Sequence, residues 1–261
     1  MEARLKRLPP FVVLALLAGC AHTDRSVADA AHKDGHPHWS YEGATGPAHW
    51  GSLAPEYALC SAGRQQSPVD IAQPASVDLP NLELHYAPTK VAIVNNGHTI
   101  QVDYAPGSWM QVDGTRYELL QFHFHAPSEH TVAGRHAAAE MHFVHKSATG
   151  SLAVVGVMLE EGEANSRFDA VWSHLPATPG PAQQFDVQID ADDLLPQDQR
   201  TYRYLGSLTT PPGSEGVSWF LMQEPVRLSK AQIAAFTRIY RGNNRPTQPL
   251  HGRTVRLDSS R

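Results

Sequence analysis

From residue 82 onward apolar and polar side chains alternate over short stretches, with the two-residue period of strands that bury one face. Such runs are read at residues 82–86, 91–95, 99–104, 117–125, 138–145, 152–159, 185–189 and 217–222. A helical period is present only at 164–174 and 230–240, the second introduced by Ser229 as an N-cap and ended near Gly242. Strands do not alternate with helices, which excludes a doubly wound parallel sheet. The pattern predicts a mainly β (α+β) fold, a largely antiparallel sheet with a few peripheral helices. No repeat with a 20-to-50-residue period is visible.

The first 36 residues are of a different kind. Arg4, Lys6 and Arg7 precede an apolar stretch at 11–17, too short to cross a bilayer as a mature helix. Leu17-Ala18-Gly19-Cys20 then resembles the bacterial lipobox, in which the cysteine becomes the lipidated first residue. Ala21, where an acidic residue would favour the inner membrane, resembles outer-membrane lipoproteins. The expected organisation is a signal peptide at 1–19, a flexible tether at 20–36 and a folded region at 37–258. The expected location is periplasmic, with a lipid on Cys20 holding the chain to the outer membrane. His22, His32, His36 and His38 are read as residues of a solvated linker. Lipidation of Cys20 would leave Cys60 alone, so no internal disulfide is expected and Cys60 is read as a buried small apolar residue.

Charge narrows the function. The formal net charge is −5, from 21 basic and 26 acidic side chains without long same-sign runs, so no electrostatic footprint for nucleic acid exists. Histidine is in excess, with 15 residues in a chain of 261. It is the commonest metal ligand and the side chain that titrates near neutrality, so metal or proton chemistry is indicated.

The densest cluster is QFHFHAPSEH at 121–130. In a strand, His123 and His125 share one face, while Phe122 and Phe124 point to the other and suit a core. An HxH pair alone is unspecific, and His36 with His38 forms another. A third candidate ligand comes from AAAEMHFVHK, where Glu140 and His142 share a face and Met141 and Phe143 point away. Zinc takes neutral imidazoles, and a catalytic site uses three protein ligands with the fourth position left to water. His123, His125 and His142 are therefore the predicted metal ligands. Gln121 and Glu140, each two residues before a histidine, are placed to hold the second ring nitrogen of their neighbours. His145 falls on the opposite face from His142 and is read as structural.

These segments, with RQQSPVDI at 64–71, VNNGHTIQV at 94–102, SLTTPPGSEGVSW at 207–219 and NNRPTQPL at 243–250, resemble the alpha-class carbonic anhydrases in family order over residues 38–257. The resemblance implies a single domain around a strongly twisted, mostly antiparallel sheet, with zinc at the floor of a cone-shaped cleft. It implies reversible hydration of carbon dioxide to bicarbonate and a proton. His123, His125 and His142 match the zinc ligands, and Glu129 with Thr209 match the pair that orients the attacking hydroxide. His98 matches the proton shuttle. Val144, Val154, Leu208 and Trp219 match the apolar wall that receives carbon dioxide, Thr210 a polar contact at the cleft side, and Asn243 with Arg245 a network beneath the site.

One departure stands out. Exported relatives commonly join a cysteine near Cys60 to one after the TTPP turn, where this chain has Gly213. Lower thermal stability than in bridged relatives is the expectation, since such a bridge contributes about 2 to 4 kcal/mol. The alternative reading is a catalytically silent zinc-binding protein on the same fold. A zincin protease is disfavoured because no HExxH segment exists. Monomer and dimer are equally compatible with the sequence.

Overall fold

The computed structural model describes residues 37–260, so Cys20, the predicted signal peptide and the predicted tether lie outside the described residues. Strands dominate. In chain order they are β1 (Asp70–Ile71), β2 (Ala75–Val77), β3 (Glu83–His85), β4 (Thr89–Asn95), β5 (Ile100–Asp103), β6 (Trp109–Val112), β7 (Thr115–His125) and β8 (Thr131–Val132). They continue as β9 (Ala139–Ser147), β10 (Leu152–Glu161), β11 (Gln183–Ile189), β12 (Thr201–Ser207), β13 (Glu215–Met222), β14 (Val226–Leu228) and β15 (Arg256–Asp258). Thirteen form one sheet whose main path runs β11-β4-β5-β7-β9-β10-β13-β12-β15-β2. Most pairs are antiparallel, with β13 and β14 lying parallel to β10. The helices are short: α1 (Trp50–Leu53), α2 (Leu59–Ala62), α3 (Asp169–Trp172) and α4 (Lys230–Thr237). No helix among the described residues is long and apolar enough to cross a membrane.

The two faces of the sheet have different work. One carries the main core, in which Phe122, Phe124, Met141, Phe143, Val155 and Val157 are almost wholly buried. The other carries a smaller apolar cluster around Val154, Tyr204, Trp219 and Leu221. Alternation along β10 divides Val154 from Val155 between them, as a pleated strand requires.

A bulge in β7 sets which side chains reach the second face. Leu119 pairs with His145, and the next paired residue, Gln121, meets Val144, leaving Leu120 as the extra residue. Before the bulge the odd positions Tyr117 and Leu119 are buried; after it the even positions Phe122 and Phe124 are, and Leu120 itself is exposed. Gln121, His123 and His125 are thereby turned away from the main core. On β10, opposite His142, stands Gly156. A Cβ there would come within 2.6 Å of Leu221 Cδ1 and 3.3 Å of Glu140 Oε1, so glycine lets both side chains sit without adjustment.

The predicted helix at 164–174 is corrected to a 3-10 turn at Ser166–Phe168 followed by the single turn α3. Asn165 is extended and its side chain caps Arg167 N at 3.2 Å, which delays the start, and Ser173 bonds back to Asp169 O at 2.7 Å, which ends it. The helix α4 is shorter than its period suggested. It starts at a capping box formed by Ser229 and Gln232 and stops at Thr237, beyond which the Tyr240 hydroxyl is drawn to Asn95. Strand β12 escaped the alternation reading because it buries Thr201 and Arg203 while Leu205 faces solvent. Arg203 is sustained there by Asp258, Thr201 and the Pro80 carbonyl.

Cys60 is buried and unpaired. The Gly213 Cα faces it so closely that a Cβ would lie 2.7 Å from the sulfur. Position 213 is thus the place from which a bridge would be built, and this chain lacks the second thiol.

His145 lies on the main-core face, with Nδ1 at 2.9 Å from Phe143 O and Nε2 at 2.8 Å from the Tyr86 hydroxyl. Burial pushes its pKa from the ordinary 6.5 down to about 3. Between those limits the folded protein binds fewer protons at this ring than the unfolded chain, so this group removes stability as pH falls from 6.5 toward about 3. The slope is at most about 1.4 kcal/mol per pH unit. Urea unfolding of the natural chain and His145→Gln between about pH 7 and about pH 4 is expected to show the shallower pH dependence in the variant; parallel curves would contradict it.

Candidate metal centre

Three imidazoles converge on the second face. His123 and His125 come from β7, and His142 of β9 sits directly across from His123. Ring centroids are 5.0 Å apart for His123 and His125, 5.3 Å for His123 and His142, and 4.7 Å for His125 and His142. One nitrogen from each lies within 4.8 Å of the others.

On each ring the second nitrogen is engaged by a different kind of acceptor. Gln121 Oε1 is 2.8 Å from His123 Nδ1, the Asn243 carbonyl 2.7 Å from His125 Nδ1, and Glu140 Oε1 2.7 Å from His142 Nε2. This leaves Nε2 of His123, Nε2 of His125 and Nδ1 of His142 to face one another. His125 Nε2 is buried with no hydrogen-bond partner, as is Glu129 Oε2. Buried polar atoms are rarely left in that condition. An ion bound by three neutral imidazoles, the donor set that zinc prefers, would use the free nitrogens, so the residues present fit zinc.

A second group of suitable residues, His130, Glu140 and His142, also meets the distance condition. Its atoms are already committed. His130 donates to Glu140 through Nδ1 at 2.7 Å and contacts the Tyr204 hydroxyl through Nε2 at 2.6 Å. The free nitrogens therefore single out the first group.

Electrostatics follow burial. Desolvation, reinforced by His125 and His142, lowers the pKa of His123 well below its ordinary range, and desolvation lowers His125 against the pull of Glu129. Both rings are neutral and able to ligate at neutral pH. Desolvation also acts to lower His142, but Glu140 outweighs it and raises that pKa. Glu140, buried as it is, is kept ionised by His130 and His142.

Glu129 is fully buried and its Oε1 accepts from Arg245 N at 2.8 Å. Its Oε2 lies 3.6 Å from His125 Nε2 and 3.9 Å from His142 Nδ1. Thr209 is buried in the segment after β12. Glu129 Oε2 accepts no hydrogen bond from Thr209 or any other group and faces the histidine nitrogens.

Val154 and Trp219 are buried in the smaller apolar cluster, and Val144 and Leu208 pack half-buried against it. Thr210 is half-buried beside Thr209. His98 stacks on Trp39 with ring centroids 3.7 Å apart and 8° between planes. Its loop is tied to the site by Asn243, whose Nδ2 donates to the His98 and Phe124 carbonyls at 3.1 and 3.0 Å.

The sequence did not point to His130 or Tyr204, and it placed Asn243 in a network beneath the site without its contact to His125. His130 and Tyr204 hold Glu140 from behind, and the only available cue was the position of His130 inside the QFHFHAPSEH segment. Asn243 holds His125 through its main-chain oxygen, which carries no residue-type signature.

Comparison with known proteins places these features in one family. The family described as eukaryotic-type carbonic anhydrase matches residues 45–259. A carbonic anhydrase of Klebsiella pneumoniae is 46% identical over 221 residues, covering 84% of this chain and 90% of the relative. One from Neisseria gonorrhoeae is 42% identical over 254 residues, covering 97% of this chain and 98% of the relative. Among solved structures, the alpha-carbonic anhydrase of Thermovibrio ammonificans in complex with the inhibitor sulfanilamide superposes with a TM-score of 0.83 at 45% identity, covering 85% of this chain and all of that one.

Proposed function

The chain belongs to the alpha-class carbonic anhydrase family and catalyses reversible hydration of carbon dioxide; from that premise we propose that His123, His125 and His142 hold the zinc ion on which the reaction depends. The observation that carries the assignment is the free nitrogen on each ring, fixed by an acceptor on the other side and, for His125, buried without a partner. Bound there, zinc supplies a Lewis acid that makes a hydroxide available near neutral pH, carbonic anhydrase being the standing example of that effect.

The rest of the reading concerns what the chain's own residues do. Gln121, Glu140 and the Asn243 carbonyl fix the rings, so no reorganisation is needed when the ion is bound. Glu129 and Thr209 are the pair through which the attacking oxygen would be oriented: the free Oε2 of Glu129 can take the Thr209 hydroxyl hydrogen, and a threonine that donates to a carboxylate can accept only from the other side. Val144 and Leu208, backed by Val154 and Trp219, offer an apolar surface to a substrate with no net charge. Thr210 adds a polar contact at its edge. His98 passes the product proton to buffer, because an imidazole near its own pKa both takes and gives protons readily.

The same proposal extends to location. Arg4, Lys6, Arg7, the apolar stretch at 11–17 and Leu17-Ala18-Gly19-Cys20 support export and a lipid on Cys20, which would hold the enzyme at the periplasmic side of the outer membrane.

Three measurements test this reading. Carbon dioxide hydration is expected to be lost on dialysis against a strong zinc chelator and to return with added zinc; equal rates with and without chelator would remove the metal from the mechanism. His98→Ala is expected to slow turnover about tenfold or more in dilute buffer and to recover with added imidazole, whereas a loss that imidazole leaves untouched assigns the shuttle elsewhere. Mass spectrometry of the mature N-terminus should find diacylglycerol-modified Cys20, and an unmodified terminus at another residue would refute the anchor.

A further inference from the structure

Behind His142 runs a chain of buried hydrogen bonds that reaches the opposite end of the smaller apolar cluster. Glu140 sits at its head with all its acceptor capacity used. Oε1 accepts from His142 and His130, each at 2.7 Å, and Oε2 accepts from the main-chain N–H groups of Glu129 and His130, each at 2.8 Å. The far nitrogen of His130 is 2.6 Å from the Tyr204 hydroxyl, which donates to Ser67 Oγ at 2.8 Å. Ser67 is itself locked to Ser207, its Oγ accepting from Ser207 N at 3.0 Å and its N donating to Ser207 Oγ at 2.9 Å. Ser67, His130, Glu140 and Ser207 are wholly buried and Tyr204 is 5% exposed. Gly206 shows how tightly the far end is fitted: a Cβ there would fall 2.2 Å from Ser67 Oγ and 2.8 Å from the Tyr204 ring.

We propose that Tyr204, held by Ser67, is a positioning residue of the metal centre, acting through His130 and Glu140 to keep His142 Nδ1 aimed at the ion. The inference rests on the reading that His123, His125 and His142 are the zinc ligands. Two main-chain N–H groups hold Oε2 of Glu140, but the direction in which Oε1 faces His142 is set by the two imidazoles that share it. One is fixed by the metal; the other, His130, has Tyr204 as its sole side-chain restraint on the far nitrogen. Without the hydroxyl, His130 Nε2 is buried with no protein partner, and the cheapest relief is a turn of the ring that withdraws its N–H from Glu140. Glu140 then shifts, and His142 loses the alignment that makes its Nδ1 a ready ligand. Burial raises the Tyr204 pKa well above its ordinary range, so the phenol keeps its proton throughout.

A buried control exists in the same molecule. Tyr86 and His145 form another buried tyrosine–histidine contact at 2.8 Å on the main-core face, outside this chain of bonds. Zinc affinity of the full chain, measured by competition with a chromophoric chelator, is expected to fall about tenfold in Tyr204→Phe and severalfold in Ser67→Ala, and to stay unchanged in Tyr86→Phe even though all three lose stability. In a Glu140→Ala background Tyr204→Phe is expected to add no further loss, since the route through the carboxylate is already cut. An affinity in Tyr204→Phe and Ser67→Ala within twofold of the natural chain, an equal loss in Tyr86→Phe, or an undiminished effect in the Glu140→Ala background would each overturn the proposal. His142→Ala separates the two levels: if it binds zinc as tightly as the natural chain the ligand assignment fails, whereas loss in His142→Ala with none in Tyr204→Phe defeats the positioning role alone.

Discussion

An imidazole has two nitrogens, and until one of them is claimed the ring can present either to an ion. Everything in this site follows from claiming the second nitrogen of three rings at once. The sheet supplies two of the acceptors by its own pleat, since a residue two positions before a histidine lies on the same face, and Gln121 and Glu140 occupy those positions. No residue two positions before His125 can serve it in this way, because that place is taken by His123 itself. The third acceptor has to come from another part of the chain. Asn243, in the segment beyond α4, brings its carbonyl to His125 and is clamped there by Ala126 N, Phe124 O and His98 O. The peripheral helix and the loop after it are therefore parts of the metal centre, although none of their side chains would touch the ion.

The three acceptors are unequal, and the inequality has a physical meaning. An amide and a peptide carbonyl are neutral, whereas Glu140 is ionised and wholly buried. Glu129, the second carboxylate of the site, is buried as well. Taking two such groups out of water is costly unless cationic or hydrogen-bonding partners face them. Glu140 answers this with four donors, but Glu129 Oε2 has none. A dication at the free nitrogens would lie beside that oxygen and offset its burial. Through His142 the ion would also be coupled to Glu140, so the one charged acceptor is the natural place for the protein to adjust how strongly a ligand donates.

What could be read from the sequence was what depends on period two. Residues 121–125 and 140–144 obey the alternation on both faces, so ligands, two of the three acceptors and the core residues Phe122, Phe124, Met141 and Phe143 were all separable on the page. Features that depend on a break in the period were not. The bulge at Leu120 carries no glycine or proline to announce it, yet it decides that His123 faces the site and not the main core. Strand β12 was invisible because its inward side chains include an arginine whose partner, Asp258, is far along the chain. The helix expected at 164–174 was a property of spacing that Asn165 and Ser173 override locally through side-chain bonds to the backbone. Asn243 acts through an atom that every residue possesses, and His130 acts on an acceptor rather than on the metal, so neither leaves a ligand-like pattern.

The register between β7 and β9 ties these parts into one arrangement. Gln121 faces Val144, His123 faces His142, and His125 faces Glu140. Reading along β9, the same face presents in turn the ionised acceptor Glu140, the proposed ligand His142 and Val144 of the proposed apolar wall, spaced about 6.5 to 7 Å apart as alternate strand positions must be. On β9 a charged acceptor, an imidazole and an apolar side chain are thus placed side by side by pleat, while loops add Asn243, Leu208 and Thr209. A slip of one residue would bring Met141 and Phe143 to this face and send His142 into the core. Register in β9 is fixed against that slip by Phe143 and Met141 packed in the main core, and Gly156 opposite His142 lets the Glu140 carboxylate sit without adjustment. The core that stabilises the fold and the three convergent imidazoles therefore require the same register, and neither can change it without the other.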